Sequence, residues 1–147
     1  MKYLITMLLI LCVYTSIGVA IASAPDRTSD DYSLDELIVR FAKENEVSPA
    51  LLKKVMLCES HGNMELVGDG NRALGIYQYH EPTWEEFTSK MGEDLNRDSA
   101  YDQIKVTAWA FSNGYAQRWT AYRAIMNGGT YSFYSKLLKK HFTVKCK

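Results

Sequence analysis

Residues 48–62 read SPALLKKVMLCESHG, and this stretch decides the fold. Ser48 offers an N-cap, and Pro49 fits the first helical position, where its missing N–H costs nothing. Leu51, Leu52, Val55 and Met56 recur at helical spacing, and His61-Gly62 supplies the stop. The anomaly is Glu59. It lies four residues after Val55 and seven after Leu52, so it shares the apolar face of the helix. A lone ionised carboxylate there is costly, so it must be partnered, protonated or facing a cleft. An ion pair with Arg72 or Arg118 is the structural alternative. The chemical alternative is a general acid, because burial raises a carboxyl pKa toward neutrality.

The same punctuation runs outward from this helix. Ser33 with Glu36 forms a capping box before Leu34, Leu37, Ile38 and Phe41. Between Gly62 and Gly75 four glycines alternate with Asn63, Asp69 and Asn71, predicting a turn-rich loop with a short hairpin. A third helix begins near Glu81-Pro82 and buries Trp84, Phe87 and Met91. Ser99 with Asp102 opens a fourth, through Ile104, Ala108, Trp109 and Phe111 to Gly114. A fifth holds Trp119, Tyr122 and Met126 and stops at Asn127-Gly128-Gly129. A last helix carries Tyr134, Leu137 and Leu138. With no convincing alternating strand run, the pattern predicts a mainly α domain over residues 33–147.

The N-terminus reads as an export signal. Lys2 precedes an apolar run from Leu4 to Val19, and Ala20-Ile21-Ala22 gives a small-x-small cleavage site. Residues 1–22 are thus a signal peptide and 23–32 a polar linker. Cleavage after Ala24 and an uncleaved membrane anchor are the alternatives, since about 20 apolar residues span a bilayer. Each places the domain outside the cytoplasm, secreted, periplasmic or in the cell wall, and after cleavage no stable membrane insertion is expected. Cys12 leaves with the leader, and Cys58 and Cys146 remain. In an exported chain they form a disulfide, or Cys58 is a small buried hydrophobe.

The 147 residues amount to one domain, expected to be a monomer, and 17 basic residues balance 17 acidic ones. That balance speaks against general nucleic-acid binding. Lys136, Lys139, Lys140, Lys145 and Lys147 crowd the end, either attracting an anionic polymer or forming a solvated face. His61, His80 and His141 lack metal-ligand spacing, so no metal and no cofactor is implied. Glu65, Asp69, Glu81 and Glu85 are the candidates for a second carboxylate beside Glu59. Tyr77 and Tyr79, flanking Gln78, are the aromatics expected at a cleft.

Short motifs follow Glu59 in a telling order: Cys58-Glu59-Ser60-x-Gly62-Asn63, then Gly75-Ile76-Tyr77-Gln78-Tyr79, then Pro82-Thr83-Trp84. The order resembles the lysozyme-like superfamily, specifically soluble lytic transglycosylase domains and the related resuscitation-promoting factors. The likeness spans about Ser33 to Tyr122. It implies a lysozyme-like helical fold cleaving the β-1,4 bond between N-acetylmuramic acid and N-acetylglucosamine of peptidoglycan. It also implies Glu59 as the acid, Ser60 as its orienting neighbour, Gln78 as an amide to the sugar, and Thr83 as a substrate or supporting partner. Ala110 to Tyr115 is loosely similar to the family's Ala-Tyr-Asn segment, with Ser112 where the tyrosine stands. Asn113 and Tyr115 enter as candidates on that basis. In this family one glutamate serves as acid and then base, and the sugar's own N-acetyl or 6-hydroxyl group completes the reaction. A hydrolytic lysozyme, a non-catalytic wall-binding module and a component of a larger wall-spanning machine are the rival functions.

Overall fold

The computed structural model describes residues 31–135 and 139–146. The expected leader over residues 1–22 and most of the expected linker, up to residue 30, lie outside the described residues, as do Leu137 and Leu138. Among the described residues five helices carry the domain: α1 (Leu34–Glu44), α2 (Pro49–Ser60), α3 (Glu81–Met91), α4 (Ala100–Ser112) and α5 (Thr120–Met126). Between α2 and α3 a small antiparallel sheet joins β1 (Val67–Gly68), β2 (Ala73–Leu74) and β3 (Tyr79–His80). The fold is mainly α, as the sequence predicts.

Local chemistry explains where the helices begin. The Ser33 hydroxyl accepts from the Glu36 amide at 3.3 Å, and the Glu36 carboxylate accepts from the Ser33 amide at 2.8 Å. This is the reciprocal pairing that a capping box requires. Ser48 caps α2 through the Leu51 amide, and His61 ends it in a left-handed conformation. Ser99 caps α4 through the Asp102 amide, while the Asp102 carboxylate reaches back to the Asn96 amide at 3.0 Å.

α1, α2 and α4 enclose a core of Leu37, Ile38, Phe41, Leu52, Val55, Met56, Ile104 and Val106. Met91 is half-buried and Met126 is exposed, so neither belongs to it. Gln103, an amide within this apolar interior, is 1% exposed. Its Oε1 accepts from the Tyr77 amide at 3.0 Å, and its Nε2 donates to the carbonyls of Leu74 and Arg97. Gln103 thereby fixes the backbone of the turn that leads to Gln78. Gly75 stands in that turn at φ +75°, and a Cβ there would lie 2.1 Å from Gln103 Nε2. Replacing Gly75 by alanine combines left-handed strain with collision against a fully bonded amide. A loss of about 2–4 kcal/mol is expected, read by chemical denaturation.

The chain end departs from the sequence prediction. Instead of a sixth helix, β4 (Thr130–Ser135) and β5 (Lys140–Lys145) form an antiparallel hairpin with Tyr131 opposite Val144 and Ser132 opposite Thr143. The helical reading rested on the spacing of Tyr134, Leu137 and Leu138. Yet Thr130 to Ser135 and Lys140 to Lys145 hold mostly hydroxyl, β-branched and aromatic residues, which favour extended chain. Both runs also alternate apolar with polar side chains over much of their length, a strand-like period. Gly128 and Gly129, at φ +75° and +93°, turn the chain out of α5 into β4. The Ser132 and Thr143 hydroxyls hydrogen-bond across the strands at 2.9 Å, and the Arg123 guanidinium lies over the Tyr131 ring. Beyond β5 a disulfide joins Cys146 to Cys58, with Cα atoms 5.3 Å apart, fastening the hairpin to the turn of α2 that bears Glu59.

Candidate functional site

α2 ends at Ser60, so Glu59 sits in its last turn where the helix meets a cleft of about 380 Å³. The small sheet supplies one wall through Asp69, Ala73, Gln78, Tyr79 and His80. The other wall comes from Thr83 at the start of α3 and from Arg118, Trp119 and Thr120 leading into α5.

Glu59 is partly buried and has no cation beside it among the described residues. Arg72 pairs with Asp69, and Arg118 pairs with Glu86. The ion-pair alternative therefore fails at both residues that could have supplied it. Among the described residues the carboxylate accepts one hydrogen bond, a long one from the Ala121 amide at 3.4 Å. Burial pushes the carboxyl pKa from 4.5 up to about 7, against the weaker opposing pull of the Ala121 amide. About half the molecules then hold the proton at neutral pH, as a general acid requires.

Ser60 is buried beneath the cleft. Its hydroxyl donates to the Ile76 carbonyl at 2.8 Å and accepts from the Gly62 amide at 3.1 Å. It ties the end of α2 to the turn bearing Gln78, and so orients Glu59 through the backbone while lying off the cavity lining. Gln78 does line the cleft. Its Nε2 donates to the carbonyls of Leu66 and Gly75 at 3.0 and 2.8 Å, which uses both amide hydrogens. Oε1 remains as the acceptor, packed where Gly68 lacks a side chain.

Of the two tyrosines expected at the cleft, Tyr77 is fully buried. Its hydroxyl donates to the Leu52 carbonyl, and its own carbonyl accepts from the Trp119 indole at 3.0 Å. Tyr79 borders the cavity but is 2% exposed, bonded to Thr107 and set edge-on to Trp84 and Trp119. It forms the floor and offers no open face for stacking. Thr83 lines the cleft as expected. Asn113 does not; its amide caps α4 through the Trp109 carbonyl. Tyr115 also lies off the lining, stacked on Trp109 with Lys90 over its ring.

Arg118, Trp119, Thr120 and His80 also line the cleft, although no sequence pattern singles them out for it. His80 occupies the N-cap position of α3 without a side-chain cap bond, and its Nε2 lies 3.3 Å from Asp69. Asp69 was considered only as a second carboxylate. It shares the cavity, but its two oxygens face Arg72 and His80. Among the described residues no group of three or more His, Cys, Asp or Glu could hold a metal ion.

A helical domain with a single part-buried glutamate at the end of a cleft-facing helix is the arrangement of the lysozyme-like class. The model of the transglycosylase SLT domain family matches residues 36–126, well over half of the chain, and the chain belongs to that family. Membership supports a lytic-transglycosylase type of function on peptidoglycan in general. The matched span ends with α5 and leaves the terminal hairpin outside it. No curated protein and no solved structure matches the chain significantly.

Proposed function

We propose that the protein is a lytic transglycosylase that cleaves the β-1,4 bond between N-acetylmuramic acid and N-acetylglucosamine, with Glu59 as the only catalytic carboxylate. The observation that carries this reading is a part-buried glutamate at the head of a cleft, with no cation beside it among the described residues and its carboxyl pKa raised by burial. Glu59 donates its proton to the glycosidic oxygen as the bond to the muramic acid C1 breaks. The sugar then carries oxocarbenium character, which its own N-acetyl group can stabilise. The Glu59 carboxylate next takes the proton from the 6-hydroxyl as O6 bonds to C1. This closes a 1,6-anhydro ring and returns Glu59 to its protonated form. No second enzymic carboxylate is needed, in keeping with the engagement of Asp69 by Arg72 and His80.

In this account Gln78 accepts from a sugar acetamido N–H through Oε1, and Thr83 supplies a hydroxyl to the strand. Ser60 and Tyr77 hold the wall from behind. Because the substrate lies outside the cytoplasm, residues 1–22 act as an export leader. The proposal is tested by mass analysis of glycan strands digested to completion. Anhydro-muramic ends, lighter than hydrolytic ends by one water, are expected. Ends carrying the added water would make the protein a hydrolytic lysozyme, and intact strands would leave it a binding module.

A further inference from the structure

We propose that Arg118 is a specificity-determining residue that binds a carboxylate carried by the substituent of the muramic acid next to the scissile bond. The inference rests on the peptidoglycan reading above and deepens it. Arg118 lines the cavity that holds Glu59. It lies three residues before Ala121, whose amide touches the Glu59 carboxylate, so its backbone is within about 10 Å of that contact. A muramic acid at the cleavage point brings a lactyl branch into this range, ending in a free carboxylate or in a peptide with carboxylates of its own.

The guanidinium is braced for such a contact. Glu86 holds Nη2 from one side, and the Phe87 ring lies 5.7 Å from the guanidinium carbon. One N–H of five is thereby engaged, and among the described residues the others have no acceptor. Glu86 does not cancel the charge, because it also binds Lys90 at 2.7 Å. Lys90 and Arg118 thus share one carboxylate. On the facing wall Asp69 is matched by Arg72 and approached by His80. A braced guanidinium with open N–H groups suits a planar carboxylate, which it can grip through two parallel hydrogen bonds.

The test measures strand binding in the Glu59→Gln protein, with and without Arg118→Gln, so that cleavage does not interfere. Four ligands are compared: peptide-bearing strands, strands stripped to the lactyl acid, and each of these with carboxyls converted to amides. The expected result is that Arg118→Gln lowers the preference for the carboxylate form over its amide about tenfold, with partial recovery in Arg118→Lys. An effect on stripped strands identifies the lactyl acid, and one confined to peptide-bearing strands identifies the peptide. An unaltered preference in both pairs, or no preference with Arg118 present, overturns the proposal. Binding of every strand without discrimination rejects Arg118 alone, whereas binding of none rejects the peptidoglycan reading with it.

Discussion

Replacing Glu59 by glutamine is expected to lower strand cleavage by about 10³-fold while leaving the fold intact. Glutamine keeps the shape of the side chain and can still accept from the Ala121 amide, but it has no proton to give to a leaving oxygen. The same change is expected to stabilise the protein in alkaline solution. The folded carboxyl titrates near pH 7 and the unfolded one near 4.5, so the native state retains a proton that the unfolded chain has released. Stability from this group is present below pH 4.5 and is lost as pH rises through about 7. Above that range burial of the charged form costs about 2–3 kcal/mol, which glutamine avoids. Unfolding at pH 8.5 and pH 4 should therefore show a stability gain for Glu59→Gln at the higher pH only. A variant as active as the parent on purified walls would remove Glu59 from the chemistry.

Removing the disulfide is expected to have the largest effect on stability. The bridge spans a sequence separation of 88, so it restricts the unfolded chain over most of the domain. Replacing Cys58 and Cys146 together by alanine should cost about 2–5 kcal/mol, visible as a midpoint lower by about 10 °C or more in thermal unfolding. The loss has a local side. β4 and β5 pack on α5, and α5 packs on α2, where the Ala121 amide meets Glu59. The Cys146 amide also donates to the Gly129 carbonyl at 2.8 Å, and a Cβ on Gly129 would meet the Cys146 carbonyl at 2.8 Å. The hairpin is therefore closed at its base by backbone bonding as well as by sulfur. The double variant should keep measurable cleavage at low temperature and lose it at a lower temperature than the parent. An unchanged midpoint would show that the bridge adds nothing to stability.

The helices were legible because their start signals are local. Ser33 with Glu36, Ser48 before Pro49, and Ser99 with the Asp102 amide each settle within one turn of chain. The order of motifs from Cys58 to Trp84 was legible for a similar reason, since one helix end and one small sheet carry it. The terminal hairpin was not. Its strands are stabilised by pairing with each other, and helical spacing of a few apolar residues can arise by coincidence. For a different reason Tyr77 was not legible, whereas Tyr79 does border the cleft. Flanking Gln78 in sequence says nothing of which way each ring turns. Gln78 in fact adopts φ +51°, a left-handed turn that sends Tyr77 and Tyr79 inward and leaves its own amide beside the cleft. Arg118 to Thr120 reach Glu59 only through the packing of α5 on α2, and no short-range pattern announces that.

The fold buries Glu59 with no compensating cation among the described residues, so its carboxyl is expected to hold a proton near neutral pH. Carbon-13 labelling of the glutamate carboxyls and pH titration by NMR tests this directly, with the Glu59→Gln spectrum assigning the signal. A resonance missing from the variant is expected to titrate with a midpoint at about 7. A Glu59 midpoint at the ordinary value of 4.5 would contradict it.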